Sequence, residues 1–139
     1  MVNNEDVDRG TAATSTLVGI YAVIVLGTVV ALAALTGVAP RWAPPEAWGH
    51  ALVVAVFAAA LPLRWRAARR GSDRARRAVR IIAAVLLVVN LVEAFVPAFP
   101  LWMRVQMGVV ATIMFAILTR LPGRARPLTH ITPKTWSAR

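Results

Sequence analysis

Four apolar stretches, at about 17–38, 47–63, 79–96 and 101–119, are separated by segments rich in proline or arginine. The first, LVGIYAVIVLGTVVALAALTGV, carries no charge, and its polar side chains Tyr21, Thr28 and Thr36 form no stripe. A helix lying on water needs a polar face, whereas one that is apolar all round belongs in a protein interior or a membrane. Roughly 20 apolar residues cross a bilayer as a helix, and the first stretch has that length. The second is shorter, with Pro62 near its end; the third is interrupted by Asn90 and Glu93; the fourth carries Arg104 and Gln106 near its start. The pattern predicts an all-α integral membrane protein with four transmembrane helices in two antiparallel hairpins.

The breaks between stretches have a physical cause. Pro40, Pro44 and Pro45 interrupt helix after the first stretch, since proline lacks an N–H and its ring clashes one turn back. Trp42 and Trp48 flank them, and indole rings favour the membrane–water interface. Gly71-Ser72 is the expected turn inside an arginine-rich loop at 64–80, and Pro97 and Pro100 bracket a tight turn before the fourth stretch. Pro122, Gly123 and Pro127 end it, leaving a basic tail at 122–139. The leader, 1–16, is acidic through Glu5, Asp6 and Asp8. A secretory signal starts basic and has a shorter apolar run, so the first stretch is read as an uncleaved span.

Composition narrows the class. The 139 residues are 58% hydrophobic and 16% charged, with mean hydropathy +0.64, which excludes a disordered chain. With no cysteine there is no disulfide scaffold and no thiolate metal or nucleophile site. The net charge of +10 would suggest nucleic acid in a soluble protein. Its placement argues against that partner. Arg64, Arg66, Arg69, Arg70, Arg74, Arg76, Arg77 and Arg80 crowd one loop, and Arg120, Arg124, Arg126, Lys134 and Arg139 follow the last stretch. Both groups abut apolar runs, as cytoplasmic loops of membrane proteins do. With four crossings both termini are cytoplasmic, in the cell membrane. The density of the loop also suits contacts with anionic lipid headgroups or a partner.

Ionisable groups inside spans are expensive and therefore candidates for function. Glu93 lies four residues before Pro97 and Arg104 four after Pro100, so both fall about 6 Å below the outer turn. Asn90 is one turn deeper than Glu93, and His50 enters from the second span at a similar level. The expected polar cluster is therefore Glu93, Arg104, Asn90 and His50, with Glu93 and Arg104 as an ion pair that fixes the hairpin. Use of Glu93 as a proton- or cation-coupling group is the alternative. Met103 and Met107 have a spacing that soft metal ions can use, but methionines at helical spacing are read as core filler. No metal and no cofactor are expected. The serines Ser15, Ser72 and Ser137 lie outside the spans, so no nucleophile–base grouping suggests an enzyme.

The chain is accordingly expected to be a small non-catalytic membrane protein: an accessory subunit of a membrane assembly or a self-associating scaffold, with a homo-oligomer or partner membrane subunit. The alternatives are a small oligomeric transporter or channel working through Glu93, and a protein binding anionic lipid through the 64–80 loop.

Overall fold

The computed structural model describes residues 4–121, with side chains from Arg9 onward. The basic tail at 122–139 and the acidic side chains of the leader lie outside the described residues. The elements are α1 (Asn4–Val38), a short 3-10 turn (Pro40–Trp42), α2 (Pro45–Arg69), α3 (Asp73–Glu93) and α4 (Leu101–Arg120). Among the described residues the fold is all-helical.

Helix α1 runs for 35 residues, starting well before the apolar stretch. The hydroxyls of Thr14, Ser15 and Thr16 donate to the carbonyls of Gly10, Thr11 and Ala12, one turn back. Side chains that would otherwise compete for the backbone are thereby satisfied inside the helix. Helix α2 opens with Pro45 at its first position and Glu46 in its first turn, where a missing N–H costs nothing and a negative charge meets the positive helix end. It continues through Pro62 to Arg69. Gly71, at φ +90°, makes the turn that follows, a conformation glycine adopts without strain. Ser72 then caps α3, its Oγ accepting the Ala75 N–H at 3.2 Å.

Each helix packs on the next, and α4 also packs on α1, so the four close into a ring around an interior of two core clusters. Short connections make neighbours antiparallel. Tyr21, Val54, Leu86, Val110 and Met114 lie in the core cluster nearer the arginine end. Leu32, Ala47, Ala51, Met103 and Met107 form the cluster at the other end. Both methionines are fully buried there, as the filler reading expects.

Tyr21 is fully buried, and its hydroxyl donates to the Val54 carbonyl at 3.1 Å, tying α1 to α2. Hydrogen bonds of this kind between helices contribute about 0.6 kcal/mol on average in a membrane protein. Tyr21→Phe should therefore lower thermal stability in detergent by about 0.5–1 kcal/mol, with the helix content by circular dichroism unchanged.

Three helices are long and apolar enough to cross a membrane: Arg9–Val38, Pro45–Arg69 and Leu101–Arg120. Helix α3 differs because Asp73, Arg74, Arg76, Arg77 and Arg80 occupy its first turns and Asn90 and Glu93 its last. The outside of the bundle is apolar along its length, with Val23, Val30, Val56, Val88, Val105 and Phe115 all exposed. Water solvates a continuous surface of that kind poorly, and contiguous apolar patches this extensive are rare on soluble monomers. The fold is compatible with a membrane protein.

Candidate functional site

The buried polar groups at the end away from the arginines come from three helices. His50 sits in the second turn of α2, on the face it shares with Ala47, Ala51 and Val54. Asn90 and Glu93 occupy the last turn of α3. Arg104 lies in the first turn of α4, whose start is set by Pro100. The tight connection between Glu93 and Leu101 brings Glu93 and Arg104 to adjacent helix ends, as their spacing predicts.

Their pairing differs from the expectation. Glu93 Oε2 meets His50 Nδ1, not Arg104. Arg104 instead donates from Nε to the Ala94 carbonyl at 2.7 Å. The last carbonyls of a helix have no partner within it and carry partial negative charge, so the guanidinium satisfies the end of α3 while the imidazole takes the carboxylate. The expected Glu93–Arg104 ion pair is therefore replaced by a His50–Glu93 pair and an arginine cap.

The imidazole is nearly enclosed: the side chain of His50 is 3% exposed, against 29% for Glu93. The Phe99 ring stands edge-on to it, with centroids 6.0 Å apart. With Nδ1 facing the carboxylate, Nε2 is the ring nitrogen turned away from Glu93. Nε2 is buried without a protein partner. Asn90 is fully buried and donates from Nδ2 to the Leu86 carbonyl at 2.8 Å, while its Oδ1 has no protein partner. The cluster thus combines a carboxylate–imidazole pair with a free acceptor or donor on each of two buried side chains. Such an arrangement can hold a proton or order a small polar species.

Trp102 Nε1 and Gln106 Oε1 are also buried without protein partners. They lie one turn apart on α4. Neither belongs to the expected cluster, and nothing in an isolated sequence marks a tryptophan or glutamine as buried at its polar tip.

The eight arginines gather at the opposite end of α2 and α3. From His50 to Arg69 along α2 is about 28 Å at 1.5 Å per residue. Arg64, Arg66, Arg69 and Arg70 belong to the end of α2 and Arg74, Arg76, Arg77 and Arg80 to the start of α3. Most are exposed. Arg76 pairs with Asp73 one turn back, and Arg80, half-buried, donates from Nη2 to the Leu121 carbonyl at 3.4 Å. Trp65 Nε1 donates to Ser15 Oγ at 2.9 Å, holding α1 against α2 at this level. The 64–80 segment is thus two helix ends joined by a three-residue turn, which contains the expected Gly71-Ser72.

No family model, curated protein or solved structure matches the chain, so its function has to be argued from its own residues and geometry.

Proposed function

We propose that this chain is a small integral protein of the cell membrane with no catalysis of its own. It crosses four times, keeps both termini and the α2–α3 arginine end in the cytoplasm, and works by association, as an accessory subunit or a self-associating scaffold. The observation that carries this reading is the layout of its surface. Apolar side chains cover the outside of every helix, between an arginine end and a polar cluster separated by about 28 Å of α2. That separation is close to the thickness of a bilayer's hydrocarbon, about 30 Å.

The packing of α3 between α2 and α4 supports four crossings, because α3 shares their depth despite its charged ends. Its arginines then stand where the excess of cations in cytoplasmic loops puts them. Association is supported by α1, where Gly19, Gly27 and Gly37 face open space, with no atom within 4 Å of an added Cβ. Small residues facing outward let a second helix backbone approach closely in lipid.

Two measurements test the reading. Single cysteines replacing Arg41 or Ala98 should react with a membrane-impermeant thiol reagent in intact cells, and one replacing Arg77 only after permeabilisation. Reaction at Arg77→Cys in intact cells would refute the orientation. Purified at native expression levels, the chain should elute with a partner membrane protein or as a defined oligomer. A monodisperse monomer would refute association.

The His50–Glu93 pair favours a second reading, a small oligomeric transporter or channel with Glu93 as its coupling residue. In proteoliposomes, proton- or cation-driven flux abolished by Glu93→Gln would establish it. Flux no greater than that of empty liposomes would remove it.

A further inference from the structure

Arg66, Arg69 and Arg70 stand three and four positions apart at the end of α2, on one helix face. They line a surface concavity of about 310 Å³. Like charges so placed repel one another and destabilise the helix end. The helix macrodipole offsets little of this: one cation at a helix C-terminus is favourable, but three in one patch exceed what the partial negative charge there can neutralise. No acidic side chain among the described residues relieves them, since the neighbouring Asp73 is engaged by Arg76. Just beneath them Leu63 is exposed and Trp65 half-buried, as suits groups at the boundary between hydrocarbon and water.

We propose that the Arg66–Arg69–Arg70 concavity is a binding site for the phosphate of an anionic phospholipid of the cytoplasmic leaflet. This inference rests on the orientation given above and adds a ligand to it. Guanidinium groups match phosphate oxygens with paired N–H donors, a geometry lysine cannot reproduce. The concavity admits a headgroup, and the apolar side chains below it continue along the acyl chains. A soluble phosphate would use the same donors but would gain nothing from Leu63 and Trp65. The other arginines of this end, on α3 or further down α2, attract the same leaflet through diffuse charge. The concavity differs in offering three donors to one anion.

The test compares two triple variants of the full chain with the same net charge. One is R66Q/R69Q/R70Q, in the concavity. The other is R64Q/R74Q/R77Q, outside it. Each is purified in mild detergent and equilibrated with mixed micelles of phosphatidylglycerol and phosphatidylcholine, and bound lipid is counted by native mass spectrometry. Loss of a single charge-assisted hydrogen bond weakens binding about tenfold or more. The concavity triple should therefore retain phosphatidylglycerol at least about tenfold less well than the control triple. Arg69→Lys, which keeps the charge and the fold, should fall between wild type and the concavity triple. Equal losses in the two triples would overturn the site and leave only diffuse attraction.

A second arm uses inorganic phosphate in lipid-free micelles. If phosphate alone raises thermal stability as much as phosphatidylglycerol does, the ligand is a soluble anion and the lipid assignment fails. The Arg77→Cys labelling separates the two levels of the argument. An arginine end found outside the cell defeats the orientation, whereas a cytoplasmic end with equal triples defeats the lipid site alone.

Discussion

Glu93→Leu and His50→Leu should each lower the stability of the bundle by about 1–3 kcal/mol, and the double variant should recover much of that loss. Removing one partner leaves the other polar group buried without compensation, which costs about 1–3 kcal/mol, whereas replacing both by apolar groups can be nearly neutral. His50 has almost no access to solvent, and Phe99 closes one side of its ring. A lone imidazole there retains an unsatisfied N–H, and a lone carboxyl retains its charge or takes a proton to lose it. Glu93→Gln should be milder than Glu93→Leu, because the amide oxygen still accepts from Nδ1. Arg104→Leu removes a bond to the Ala94 carbonyl and not to Glu93. Its cost, about 1–3 kcal/mol for a charged hydrogen bond, should add to that of Glu93→Leu. Thermal unfolding in detergent of the singles and doubles decides the matter. Non-additivity between Glu93 and Arg104, with additivity between Glu93 and His50, would reverse the pairing.

Leu86→Ala should cost about 2–5 kcal/mol, the range for emptying a packed leucine site, while Leu91→Ala on the same helix should cost less than about 0.5 kcal/mol. Leu86 is 1% exposed and belongs to the core; Leu91 is 50% exposed and faces away from it. The two substitutions delete the same atoms, so any difference measures the rotation of α3 about its own axis. Equal losses would mean that α3 presents another face to α2 and α4.

That rotation is what the sequence conveyed least. Between Ile81 and Val89 every residue of α3 is apolar, so no polar stripe distinguishes the side facing the core from the side facing outward. Element type was legible for the opposite reason: Pro40, Pro44, Pro97 and Pro100 are strong breakers, and the runs between them have helical lengths. The start of α1 was less so. Thr14, Ser15 and Thr16 read as a polar leader, yet each bonds within the helix. At the polar cluster, counting from the turn prolines gave the depth of Glu93, Arg104, Asn90 and His50. Depth alone did not give partners. Opposite charge made Arg104 the natural mate for Glu93, but the free carbonyls at the end of α3 compete for the same guanidinium. The choice between them depends on which way Glu93 leans, toward α2 or toward α4. His50 shares a face with the small residues Ala47 and Ala51, which let α2 come close, and this was the signal available for its role.

The connections of the bundle bear on how a cell makes it. Every helix packs on the one synthesised just before it, and α2 and α3 are joined by three residues around Gly71. Contacts between sequence neighbours form quickly, since little chain must be organised to bring them together. Each new helix can therefore dock on the helix made just before it, without waiting for the rest of the chain. Among the described residues, the closure of α4 on α1 joins the helices most distant in the chain, and it is necessarily the last to form. A ribosome stalled before α4 would release a three-helix product whose α1 and α3 faces lack their partner, with Ala94 deprived of the Arg104 cap. Such a product is recognisable as unfinished. The final helix thus completes two unfinished faces at once, that of α3 and that of α1.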